Sequence, residues 1–285
     1  MNKVLKIYAA VMLGVSITSS VYAQSLQDTV KDYEKKGWKV GLTVLFSDNK
    51  AISVNGNERF PLDSTVKAIA CANVLSKVDK GSLSLNHSMI VTKANLVTHS
   101  PVAENFINKP FTLAQACKAT TEFSDNTGAN FAILSGGGPE GLTEFMRSIG
   151  DEVTRSDRYE PELTINPEDD YRDTTTPYAM STSLKKILTG RVLSEQSKAQ
   201  LIEWMINNKV ANNMLRASLY DGWKIADRSG ASDYGIRGIT SMVWSDNHEP
   251  VFISIYVRKE GTTLDERSEV IRVLGYHIFN EYLPK

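Results

Sequence analysis

Histidine and cysteine are scarce in this chain of 285 residues, which has four of the first and two of the second. The histidines, His87, His99, His248 and His277, stand far apart, and no His-x-His or His-Glu-x-x-His pair exists. The ligand spacing of a zinc hydrolase is therefore missing, and neither metal nor cofactor is expected. There is no Gly-x-Ser-x-Gly elbow to present a serine at the top of a parallel sheet. Charge of one sign is lacking too: 32 Lys and Arg face 33 Asp and Glu, with no basic stripe for nucleic acid. No run approaches the ~20 apolar residues of a membrane span.

What is present at the N-terminus is a secretory pattern: Lys3 and Lys6, an apolar run from Ile7 to about Ile17, and Val21-Tyr22-Ala23 as a small-residue cleavage site before Gln24. An uncleaved anchor is the alternative. Removing residues 1–23 leaves 262 residues with 30 basic against 33 acidic side chains, a formal charge of −3. A chain of that size buries a large core, and one compact unit of two subdomains fits it best. Cys71 and Cys117, an even count in an exported chain, suggest a disulfide, with two buried free thiols as the alternative. Closing a loop of about 47 residues would stabilise the fold by roughly 4 kcal/mol in the chain-entropy picture.

Periodicity divides the chain. Leu26, Val30 and Tyr33 have helical spacing; Trp38 to Phe46 alternate as a strand, Ser47-Asp-Asn-Lys50 turns, and Ala51 to Val54 return. Helical patterns follow at 64–80, 113–121, 126–135, 139–149, 177–189 and 194–207, with Gly136-Gly-Gly-Pro139 as a hinge. The charged stretch between Gly150 and Thr176 reads as a long functional loop, with Asp157, Arg158, Glu160, Glu162, Arg172 and Asp173 available to close it by ion pairs. Period two returns at 222–226, 235–244 and 251–257, before a closing helix over 264–282. The expected fold is α/β of the α+β type. An antiparallel sheet from both chain ends (24–63 and 208–285), flanked by terminal helices, joins an all-helical subdomain (64–207).

Ser64-Thr-Val-Lys67 opens the first of the central helices. A serine hydroxyl is a weak nucleophile and needs a neighbouring base; a lysine three residues on lies on the same helix face. The pattern also occurs at Ser47–Lys50 and Ser183–Lys186, so the setting matters. Ser124-Asp-Asn126 stands between two predicted helices, unlike its copies at 47–49 and 245–247, which are turn chemistry. Glu160-Pro-Glu-Leu163 places a carboxylate in the long loop, suited to act as a base on water. Asp227-Arg-Ser-Gly230 ends a predicted strand, where a cation and a hydroxyl suit a substrate carboxylate.

In this order and spacing, the motifs resemble the class A serine β-lactamases over essentially the whole mature chain. The resemblance implies that Ser64 opens the β-lactam ring and is acylated, and that the backbone N–H groups of Ser64 and Ala231 form the oxyanion hole. It implies Lys67 or Glu160 as the base for acylation, Glu160 as the base for deacylation, and Ser124 as the proton relay to the leaving nitrogen. Asn126 would bind the substrate's side-chain amide, and Arg228, Ser229 and Arg237 its carboxylate. Cys71, Cys117, Arg158 and Asp173 would be structural.

Three positions depart from the family's pattern. Arg228 replaces the usual lysine, similar to the carbenicillin-hydrolysing branch, and its planar fork suits bidentate binding of a carboxylate. Thr164 stands where an asparagine usually helps hold the hydrolytic water, so slower deacylation is expected. Ser232 replaces glycine, a feature associated with wider acceptance of oxyimino-cephalosporins, and His99 matches a rim position. The resemblance therefore implies an enzyme that hydrolyses penicillins including carboxypenicillins and confers β-lactam resistance. The N-terminal segment implies export, to the periplasm in a Gram-negative cell, without stable membrane association after signal cleavage. The charge pattern gives no nucleic-acid partner, and a monomer is the default because nothing in the sequence marks an oligomer interface. The rivals are a penicillin-binding peptidase and a β-lactam sensor; both would remain acylated.

Overall fold

A computed structural model describes residues 24–284; the secretory segment read at 1–23 lies outside them. Helix α1 (Leu26–Lys35) starts at Ser25, whose hydroxyl accepts from the Asp28 N–H. The hairpin β1 (Lys39–Leu45) and β2 (Ala51–Val54) follows, then the two-residue strand β3 (Phe60–Pro61), a 3-10 turn (Asp63–Thr65) and α2 (Val66–Asp79). The middle holds β4 (Ser88–Ile90), β5 (Pro110–Thr112), α3 (Leu113–Phe123), α4 (Asn126–Ser135) and α5 (Gly138–Ser148). Past the long loop come β6 (Thr174–Thr175), α6 (Pro177–Thr189) and α7 (Glu195–Ile206). The chain then returns through β7 (Trp223–Ser232), β8 (Ile236–Ser245), β9 (His248–Arg258) and α8 (Leu264–Tyr282).

Five strands from the two chain ends form one antiparallel sheet in the order β2-β1-β9-β8-β7. On one face, Leu26 and Val30 of α1 and Leu274, Ile278 and Phe279 of α8 bury Val40, Leu42, Ile253 and Ile255. On the other, Ala226, Met242, Phe252 and Tyr256 join the core of the helical block. Helix α2 is the centre of that block: every residue from Val66 to Ser76 is buried, and apolar side chains fill the run apart from Lys67, Asn73 and Ser76. Truncating Ile69 there to alanine would cost about 2–5 kcal/mol. Cys71 and Cys117 are disulfide-bonded with Cα atoms 5.5 Å apart, tying α2 to α3.

Three expectations need correction. The stretch 64–207 is not wholly helical, since β4 pairs with β5 and β3 with β6; strands of two or three residues are too short to display a period. The helix read as starting at Ser64 begins with the 3-10 turn Asp63–Thr65, and regular α-helix starts at Val66. Strand β7 also runs past Ala226 to Ser232, because Asp227, Arg228 and Ser229 are buried polar residues that break the apolar alternation.

Candidate active site

The turn before α2 carries Ser64 partly buried in the lining of a cleft, while Lys67, in the helix's first turn, is fully buried. Lys67 Nζ donates to Ser124 O (2.8 Å), Ser124 Oγ (3.0 Å) and Asn126 Oδ1 (2.5 Å), and lies 3.0 Å from Glu160 Oε1. The Ser64 hydroxyl points at the same Oε1, 3.4 Å away. Burial lowers the lysine's pKa to about 8, although Glu160 pulls the other way.

Ser124 and Asn126 owe their positions to the corner between two helices. Ser124 takes a left-handed conformation at the end of α3 (φ 62°), and Asp125 caps α4, accepting from Gly128 N–H at 2.8 Å. The second Asp125 oxygen accepts from the N–H groups of Val102 and Ala103, 2.9 Å each, so the corner is fixed against the preceding loop. Asn126 donates through Nδ2 to Thr98 O (2.9 Å) and through its backbone N–H to His99 O (3.0 Å).

Glu160 is delivered by the 150–176 loop. Its N–H donates to Asn130 Oδ1 while Asn130 Nδ2 donates back to its carbonyl, 2.8 Å each. The loop is closed by Asp173, which accepts from Arg158 Nε (2.6 Å) and from the N–H groups of Asp157 (2.6 Å) and Arg158 (3.0 Å). Arg172 pairs with Asp170 and Arg155 with Asp157. The expected loop-closing role of Glu160 and Glu162 does not hold: Glu160 pairs with Lys67, and Glu162 makes no ion pair among the described residues. Thr164 Oγ1 donates to Pro161 O at 2.8 Å and so closes its own turn.

Strand β7 forms the opposite wall. Gly230 lies so close to Ser64 that a Cβ on it would sit 2.8 Å from the Ser64 nitrogen. Together with Thr98, His99, Val210, Ala231, Ser232 and Arg237, these groups line a cleft of about 510 Å³. Ser64, Lys67, Ser124, Asn126 and Glu160 form one connected cluster: Lys67 contacts Ser124, Asn126 and Glu160, and Ser64 joins it through Glu160.

The profile of the beta-lactamase enzyme family matches residues 22–282. The chain belongs to this family. It is a class A serine β-lactamase. The chain is 43% identical to beta-lactamase PSE-4 of Pseudomonas aeruginosa over 282 residues, 98% of each chain. It is 44% identical to beta-lactamase AER-1 of Aeromonas hydrophila over 249 residues, covering 86% and 82% of the two. Among solved structures, the chromosome-encoded β-lactamase of Vibrio parahaemolyticus superposes with a TM-score of 0.89 at 40% identity, covering 91% of this chain and 100% of that one. An ancestral (GNCA) class A β-lactamase gives 0.87 at 38% identity, covering 90% and 100%.

In this β-lactamase the Arg228 fork is not free to grip a carboxylate with both arms, contrary to expectation. Nε donates to Ser64 O (3.1 Å), Nη1 to Asn208 Oδ1 (3.3 Å) and Thr121 O (3.5 Å), and Nη2 to Ser124 Oγ. One Nη2 N–H remains, together with the charge. Burial and nearby Arg237 lower its pKa to about 9, while Asp227 opposes them. Arg237, which is nearly buried, donates to Ser268 Oγ (3.2 Å), Val210 O (3.3 Å) and Gly230 O (3.4 Å), and Ser229 Oγ donates to Val210 O (3.3 Å).

Sequence reasoning missed the residues that hold these groups in place. Asn130 brackets Glu160; Asn208 and Arg216 hold Asp227 at 2.7 and 2.8 Å; Asp63, beside Ser64, contacts Asn166 of the loop at 3.2 Å. The one available signal was Asp63 itself, an acidic residue inside the otherwise apolar approach to Ser64.

Proposed function

We propose that this β-lactamase hydrolyses the lactam amide of penicillins, carboxypenicillins among them, through an acyl-enzyme on Ser64. The observation that carries this reading is the convergence of Ser64, Lys67, Ser124 and Glu160 on one cleft. The Ser64 hydroxyl gives its proton toward Glu160 as it attacks the lactam carbonyl. The N–H groups of Ser64 and Ala231 take the charge that develops on the oxygen; single donors of this kind typically contribute about 10²–10³ in rate. Ser124, bonded to Lys67 and Arg228, passes its proton to the departing nitrogen and is reprotonated by Lys67, which in turn takes the Ser64 proton back from Glu160, so that Glu160 is a carboxylate again when the acyl-enzyme has formed. Glu160 then activates a water that releases the acid product, and its buried Oε2, which has no protein partner, is the oxygen free to accept from that water.

Asn126 receives the substrate's side-chain amide. The substrate's ring carboxylate is held by the remaining Arg228 N–H, by the Ser229 hydroxyl once it turns from Val210 O, and by the Arg237 charge. The enzyme is exported, as the residues from Met1 to Ala23 and the Cys71–Cys117 bond both support; in a Gram-negative cell it resides in the periplasm and protects the cell from β-lactams.

The test mixes the purified mature enzyme with benzylpenicillin and follows ring opening by absorbance and protein mass in one sample. The expected result is many turnovers with little adduct, abolished in Ser64→Ala. One equivalent of ring opening with a lasting adduct would overturn the hydrolytic assignment.

A further inference from the structure

Among the described residues five aspartates are buried: Asp63, Asp125, Asp151, Asp173 and Asp227. Four of them are surrounded by donors. Asp125 accepts three backbone N–H groups, Asp151 two N–H groups and two hydroxyls, Asp173 two N–H groups and Arg158, and Asp227 Asn208 and Arg216. Asp63 is the exception. It is 1% exposed, it makes no ion pair, and one amide, Asn166 Nδ2, donates to its Oδ1 at 3.2 Å. Its Oδ2 has no well-formed hydrogen bond, and neither has the buried hydroxyl of Ser232, although that side chain is near enough to act on the carboxyl.

The position makes this more than a packing detail. Asp63 directly precedes Ser64, in a left-handed conformation (φ 42°), and the place where a Cβ would stand on Gly230 is 2.9 Å from its own Cβ. Asn166 belongs to the loop that carries Glu160 and is held there by its own bond to Leu163 O (2.9 Å) and by Arg158 (3.2 Å). Ser232 follows Ala231 on the strand.

We propose that Asp63 is a neutral carboxylic acid and, in that form, a positioning residue: Oδ1 accepts from Asn166 and the acid proton on Oδ2 meets the Ser232 hydroxyl. One side chain thereby braces the loop carrying Glu160 against the strand carrying the Ala231 N–H, behind the nucleophile.

Charge supports the neutral form. Glu160 faces Asp63 from the loop, and Lys67 is already committed to Glu160. The cations near it are Arg267 from α8 and Arg237 from β8, whose N–H groups go to neutral oxygens; Tyr256 of β9 is buried beside Thr65. Burial, then Glu160, raises the Asp63 pKa to about 8. Above that pH a second anion stands next to the one on Glu160 and close to the oxyanion site, where it opposes the charge formed as the lactam is attacked.

The proposal rests on Ser64 as nucleophile only for its kinetic consequence. The primary experiment needs no substrate. In wild-type enzyme carrying aspartate labelled with ¹³C at the side-chain carboxyl, one resonance, identified by its loss in Asp63→Asn, is expected to titrate near pH 8. Titration at an ordinary aspartate value would overturn the proposal. In steady-state assays, benzylpenicillin kcat/KM is expected to fall about tenfold per pH unit above 8 in wild type, while Asp63→Asn, neutral throughout, holds its rate at least one unit further. An identical alkaline limb in the two enzymes would assign it to Lys67 and remove the role given to Asp63. Should the benzylpenicillin assay fail altogether, the titration still decides the protonation state.

Discussion

Lys67 Nζ and Glu160 Oε1 lie 3.0 Å apart with both side chains sealed from solvent. With the lysine pKa at about 8, Lys67 is mainly protonated at pH 7 and Glu160 is the base nearer to hand. Replacing Glu160 with glutamine removes the anion that favours the ammonium, so Lys67 loses its proton more easily and can take over acylation. The water step has no such substitute. Glu160→Gln should therefore acylate with benzylpenicillin at a rate that rises with pH and levels off below 8, while deacylation slows by about 10²–10⁴. Rapid mixing with mass detection at several pH values reads both steps; wild-type turnover in the variant would contradict the assignment.

The loop that carries Glu160 depends on Asp173. Burial raises the proton affinity of this carboxyl, while the Asp157 N–H and Arg158 lower it. Arg158→Ala leaves a buried, poorly compensated acid and is expected to destabilise the enzyme by about 3–5 kcal/mol. Asp173→Asn removes both the charge and its desolvation, so its loss should be smaller. Urea unfolding of the two variants side by side checks the order.

Strong periodicity made most of this fold legible. The helices from Asn126–Ser135 and Pro177–Thr189 lie where their apolar spacing and caps place them, and Pro139 stands in the first turn of α5, which begins one residue earlier at Gly138 of the glycine run. The site was legible because its reactive residues sit in short motifs, Ser64 to Lys67, Ser124 to Asn126 and Glu160. What holds them was not. Asn130, Asn166 and Asn208 are single polar residues whose partners lie 30, 103 and 19 positions away, and no local pattern encodes such a pairing. Arg228 shows the same limit. Its chemistry suggests a free fork, but burial against Ser64, Thr121 and Asn208 uses most of its donors.

Those bonds decide what Arg228→Lys should do. A lysine keeps the charge but supplies a point donor, leaving Asn208 Oδ1 and Ser64 O without their guanidinium partners. Loss of charge-assisted hydrogen bonds worth about 1.5–3 kcal/mol predicts kcat/KM lower by ten- to a hundredfold for both benzylpenicillin and carbenicillin. Unchanged kinetics for both would remove Arg228 from substrate binding.

At Thr164, the hydroxyl proton is already given to Pro161 O, so the side chain can only accept from a water beside Glu160. Thr164→Asn adds reach and a second kind of polar atom. Deacylation, measured as decay of the acyl-enzyme mass after a single turnover, should quicken severalfold, and an unchanged decay would show that the water is held without this residue.

The Asp63 carboxyl also makes a prediction about stability. In the unfolded chain an aspartate releases its proton near pH 4; in the folded enzyme burial and Glu160 keep it on until about 8. Between those values the unfolded state binds fewer protons, so this residue makes the enzyme less stable as pH rises, by up to about 1.4 kcal/mol per unit, and the loss is complete above 8. Asp63→Asn has nothing to ionise and escapes that slope. Unfolding free energies from urea titration at pH 5, 6 and 7 should show the variant gaining on the wild type at each step, even if loss of the acid proton to Ser232 leaves it weaker at the lowest pH. A constant difference across the three would mean that Asp63 is already ionised, with its charge compensated by Arg237 and Arg267.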